Sequence, residues 1–151
     1  MTENRIYTTR RMAIVKALAN TLRKIDGSGE FQTDLGGNVH PNLKFWDELN
    51  EFPAIHITAG AEHRVYQGGG YKDRFLTATV RIYVKQEEAI NALEAIMEDV
   101  ETVIEDNSKL QYKDRLGKAQ FTHQITILSL ITDEGVLEPY GVGEMALEVR
   151  Y

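Results

Sequence analysis

The glycine cluster Gly68-Gly69-Gly70-Tyr71-Lys72-Asp73 is the stretch of this chain that comes nearest to a phosphate-binding loop. Such a loop needs a strand before the glycines, a helix after them, and Ser or Thr beside the Lys to hold a magnesium ion. Here Asp73 follows Lys72, and a strand-like alternation follows that, so the cluster reads as the tip of a hairpin. The histidines are His40, His56, His63 and His123. None pairs at helical spacing with another His or with Glu in a metal motif. His56 and His63 flank an expected turn and could approach across strands, but two ligands make no site without a third; surface or half-buried strand histidines are the simpler reading. Eight carboxylates fall between residues 87 and 106: Glu87, Glu88, Glu94, Glu98, Asp99, Glu101, Glu105 and Asp106. Paired acids on a helix can hold a divalent cation, yet a solvated acidic face explains them as well. There is no cysteine, which removes thiol catalysis, disulfides and cysteine metal sites together. No nucleophile elbow is present. We therefore expect no enzyme, no metal and no cofactor.

Charge says more than any motif. The formal net charge is −6, which disfavours a phosphate-reading role. Residues 1–24 nevertheless hold six basic side chains (Arg5, Arg10, Arg11, Lys16, Arg23, Lys24) against one acid, Glu3. The 87–106 segment holds acids and no Lys or Arg. A basic element and an acidic element on one chain either neutralise each other within a protomer or attract further copies head to tail. Contacts of the second kind close into rings when the rotation permits. Arg10, Arg11, Glu98 and Glu101 are the candidate charged contacts, and Gly68, Gly69, Gly70, Tyr71 and Lys72 the candidate contacts at the hairpin tip.

The elements that carry these residues follow from periodicity. Met12, Val15, Leu18, Ala19, Leu22 and Ile25 recur at steps of three and four, predicting a helix over 8–25 with Thr8 or Thr9 as its cap and Gly27 beyond its end. Residues 26–53 read as a long connection with turn chemistry at Asp26–Gly29 and Gly36–Asn38. An aromatic plug at Phe45 and Trp46 and a short helix at 44–50 are expected there. Strands are predicted at 54–58 and 62–67, broken at Gly60, and at 74–84, where Leu76, Ala78, Val80, Ile82 and Val84 share one face. A second helix at 87–106 carries Ile90, Leu93, Ile96, Met97, Val100, Val103 and Ile104 as its stripe. A polar loop at 107–119 and strands at 120–131 and 143–151 complete the chain. The expected fold is one α+β domain over 1–151: a mostly antiparallel sheet with two main helices packed on one face. Its core should contain Leu18, Leu22, Val80, Ile82, Leu93, Ile96, Val100, Leu147 and Val149. At 151 residues it can bury such a core unaided. The segment MTENRIYTTRRM lacks the apolar run of a signal peptide, and no stretch approaches the roughly 20 apolar residues of a membrane span.

The run Phe52-Pro53-Ala54-Ile55-His56-Ile57-Thr58-Ala59-Gly60-Ala61-Glu62 is similar to the "P-A-[IV]-x-[IV]…G-x-E" strand of the tail terminator and tail completion proteins of long-tailed bacteriophages. The order around it, with an N-terminal amphipathic helix, a long loop, the alternating strand 74–84, an acidic helix and a closing strand pair, resembles that family over nearly the whole chain. The resemblance implies a hexameric ring at the head-proximal end of the tail. The ring caps the tail tube, stops its polymerisation and presents a surface to the head–tail connector protein. The implied partners are further copies of the chain, the tail tube protein and the connector. DNA passes through the lumen without specific recognition, no membrane is involved, and assembly takes place in the host cytoplasm. No catalytic residues carry over. Two other readings fit the residues: another connector, neck or minor tail protein, and a small ligand-binding α+β domain with the 26–50 loop as its lid.

Overall fold

The computed structural model describes residues 7–43 and 48–151. The expected plug residues Phe45 and Trp46, most of the 44–50 helix, and Arg5 of the basic segment lie outside them. Helix α1 spans Arg10–Leu22; the Thr9 side chain caps it by accepting from the Met12 amide. Strand β1 is Val39–His40, β2 is Ala54–Tyr66 and β3 is Lys72–Lys85. Helix α2 spans Ala89–Asp106. Strands β4 (Gln111–Lys113), β5 (Ala119–Phe121), β6 (Gln124–Thr132) and β7 (Tyr140–Arg150) follow.

The main sheet has the order β1-β2-β3-β7-β6, antiparallel except for the β1–β2 pair. Its pairing register stacks apolar residues in rows on one face. Ile57, Val80 and Met145 form one row, and Ala59, Ala78 and Leu147 the next. Both helices lie over this face: α1 packs on β1 and β2, and α2 on β3, β7 and β6. All nine expected core residues are buried there. The opposite face carries Thr58, Thr77, Thr79, Arg81, Glu144 and Glu148, all only partly buried. Arg81 pairs with Glu144 at 3.1 Å and donates to the Thr58 hydroxyl at 2.9 Å, so this polar face is held by its own ladder of contacts.

Several expectations are corrected. Met12 is 39% exposed, and Ile14 takes its place in the α1 stripe, completely buried. The phase of the helix therefore centres on Ile14, Val15, Leu18, Ala19 and Leu22. β2 is one strand, because Gly60 does not end it: pairing slips between Ala59 and Glu62, and the extra residue is taken up as a bulge. The 107–119 loop contains a second hairpin, β4–β5, whose Tyr112 is buried beneath α1. Thr122 anchors this hairpin by donating to the Ser108 carbonyl and accepting from the Leu110 amide, each at 2.8 Å. His56 is fully buried, with its ring 5.1 Å from that of Tyr83 and 5.7 Å from that of His40. His63, seven residues along the same strand, stacks on Phe75 at 4.8 Å, so no turn brings His56 and His63 together.

The acidic face of α2 has one exception as well. Asp99 is buried (1% exposed) and its carboxylate gathers four hydrogen bonds. The Gln32 amide donates to both oxygens at 3.1 Å, the Thr33 amide donates at 2.8 Å and the Thr33 hydroxyl at 2.6 Å. A buried carboxylate is tolerated where donors of this kind replace water. Asp99 thus ties the long 26–53 connection to α2.

Candidate assembly surfaces

Three surfaces emerge from the sequence candidates. The first is the β2–β3 hairpin, whose end runs past the neighbouring strands. Gly68–Gly70 makes a 3₁₀ turn in which Gly69 and Gly70 have φ of 78° and 84°, a region open to glycine at little cost. The Gln67 amide closes the turn on the Tyr71 carbonyl at 2.7 Å. Tyr66 and Tyr71 are 71% and 76% exposed, and the Lys72 ammonium lies 5.9 Å from the Tyr66 ring. The base is firmer. Arg150 on β7 holds Asp73 at 2.6 Å and, with Gln67, keeps its carboxyl below the usual range. That pair contributes above the ordinary Asp pKa of 3.8 and is lost as pH falls through the depressed value. Two exposed tyrosines on a glycine turn suit contact with another protein. We expect fast amide exchange at 68–72 in the isolated chain and protection in the assembled tail; equal exchange in both states would count against a contact role.

The second surface is the sheet edge under α1. Arg11, half-buried, donates to the Gly60 carbonyl and so fastens the helix to the β2 bulge. Nearby, burial disfavours the Glu62 charge, but hydrogen bonds from the Tyr151 hydroxyl and Arg64 outweigh it and hold the Glu62 carboxyl low. Burial and the same contact push Tyr151 up to about 12. Beside this cluster an open groove of about 580 Å³ is lined by Arg11, Met12, Val15, Lys16, Pro41 and Ala59, among others. Arg10, exposed, faces away from it, toward Asp114 and Leu116 of the β4–β5 hairpin, so Arg10 and Arg11 do not act on one surface.

The third surface is the opposite sheet edge, under α2. Glu98 and Glu101 line a depression of about 460 Å³ together with Glu94 and Leu130. Leu128, Leu130 and Ile131 on β6 are 54%, 49% and 60% exposed. The two helices lie side by side on one face and touch each other, α1 toward the β2 edge and α2 toward the β6 edge, and among the described residues no ion pair joins them. Arg11 and Lys16 line the groove at one edge, and Glu94, Glu98 and Glu101 the depression at the other. Among those residues no cluster of three or more His, Asp or Glu side chains is placed to hold a metal.

A family profile described as "Bacteriophage Tail Tube Terminator Protein" matches residues 8–151. The chain belongs to the bacteriophage tail tube terminator family. It is 33% identical over 149 residues to tail tube terminator protein p142 of Escherichia phage T5, covering 93% of this chain and 92% of that one. A chain from the virion of the native gene transfer agent particle shares the fold, with a TM-score of 0.60 at 10% identity over 91% of this chain and 93% of the other. Terminator family membership makes this a structural protein of the phage tail and not an enzyme. The sheet edges were not foreseeable as surfaces from the sequence. Leu128, Leu130 and Ile131 look there like any apolar strand, and only the strand order reveals that β6 has no neighbour on one side.

Proposed function

We propose that copies of this chain close into a ring, six in number, on the last layer of the tail tube. There the ring ends polymerisation and offers the surface to which the head–tail connector binds. The observation that carries this reading is the terminator family match across residues 8–151. The fold supports it: two sheet edges lined by opposite charges and an exposed tyrosine hairpin leave surface for protein contacts. The partners are further copies of the chain, the tube protein and the connector. DNA passes through the lumen without specific recognition, in keeping with a net charge of −6. Electron micrographs of particles assembled without the chain test this reading.

A further inference from the structure

Leu130 ends a row that is otherwise sealed. Ile57, Val80 and Met145 stand in register on the core face of the sheet, each fully buried, and Leu130 is the next residue of that row, on edge strand β6. It is 49% exposed; Ile131, which follows it, pairs with Glu144 on the other face and is 60% exposed, so the edge strand is uncovered on both faces. The apolar row thus runs past the cover that the protomer's own helices give it. A nine-residue edge strand with uncovered aliphatic side chains is a place where another chain adds on.

We propose that the occupant is a second copy of this chain, contributing the groove between α1 and β2 at its opposite edge. Resting on the ring reading above, this names the two surfaces that would meet in it. Charge selects the occupant. The rim around Leu130 is acidic, with Glu94, Glu98 and Glu101. The groove has an apolar floor of Met12, Val15 and Pro41 and a basic rim of Arg11 and Lys16. Two β6 edges brought face to face would set like charges against each other, which a two-fold dimer cannot avoid. A head-to-tail contact sets acid against base and Leu130 against Met12. It also leaves a free groove at one end and a free β6 edge at the other, so the contact repeats until it closes. The aliphatic contacts carry the affinity and the charges set its direction, because exposed pairs are weak and screened by salt.

Because the chain has no cysteine, introduced thiols report the contact cleanly. A disulfide forms only between residues whose Cα atoms come within about 7 Å. Both Met12 and Leu130 are exposed enough to replace without disturbing the core. Tails assembled with a chain carrying both Met12→Cys and Leu130→Cys, then oxidised, should yield a ladder of covalent multimers ending in a closed species. Each single variant should yield none. Lys16→Glu alone and Glu98→Lys alone should each lower the cross-linked yield about two- to five-fold at low salt, and the pair together should restore it. Dimers of the Leu130→Cys chain alone, or no multimers from the double-cysteine chain in tails that contain it, would overturn the pairing while leaving the terminator reading intact. So would a Lys16→Glu/Glu98→Lys chain as impaired as either single variant. Absence of the chain from the end of the tube would remove both.

Discussion

A Leu93→Asp chain is expected to be largely unfolded at 25 °C. Leu93 is fully buried on α2, and its methyl groups lie against the backbone of β7, within 3.3 Å of where a Cβ on Gly141 or Gly143 would stand. The two glycines exist in part to let that side chain approach. Truncation to alanine removes most of the contact and leaves a cavity, costing about 2–5 kcal/mol. In a domain of this size that lowers the melting temperature by roughly 5–15 °C. Aspartate adds a buried charge without donors and exceeds the margin of about 5–15 kcal/mol on which domains stand. The control is Leu116→Asp, 82% exposed in the β4–β5 turn, which should shift stability by no more than about 0.5 kcal/mol. Circular dichroism melts check both. An unchanged Leu93→Asp melt would mean that α2 does not lie on the sheet as described.

Asp99→Ala is expected to cost about 3–5 kcal/mol, far more than any other acid of α2. Its loss leaves the Gln32 and Thr33 amides and the Thr33 hydroxyl, four donor contacts in all, without the buried carboxylate they converge on. Asp99→Asn should fare little better, because one oxygen becomes an amide nitrogen that faces donors. Glu98→Ala, one residue away and exposed, is the comparison and should be near neutral. Hydrogen exchange should localise the Asp99→Ala damage to the amides of Gln32 and Thr33. Equal stabilities for the Asp99 and Glu98 variants would contradict the anchoring role.

Asp99 also shows where sequence reading ran out. On a helix whose charged residues are all acids it looks solvated, and its partners lie more than sixty residues away in a loop without periodicity. The long β3 alternation and the α2 stripe were legible because each repeats its period over many residues, and every residue expected in the core is buried. β1, with two residues, and β4 and β5, with three each, are too short to show any period. The α1 sequence shows a helical period without fixing its phase, since a stripe through Met12 and one through Ile14 share most of their members. Among the candidate contacts, Glu98 and Glu101 fall together beside Leu130, and Gly68–Lys72 form the expected exposed tip. Arg10 and Arg11 diverge, which the spacing of adjacent helical residues implies but a charge count does not.

The central claim is that this chain acts by geometry, ending the tail tube by capping it. Its most direct test is the length of tails assembled without the chain, measured on electron micrographs beside tails assembled with it. The account predicts tubes that overgrow to irregular lengths or that fail to join heads. Tails of normal length, joined normally to heads, would contradict it.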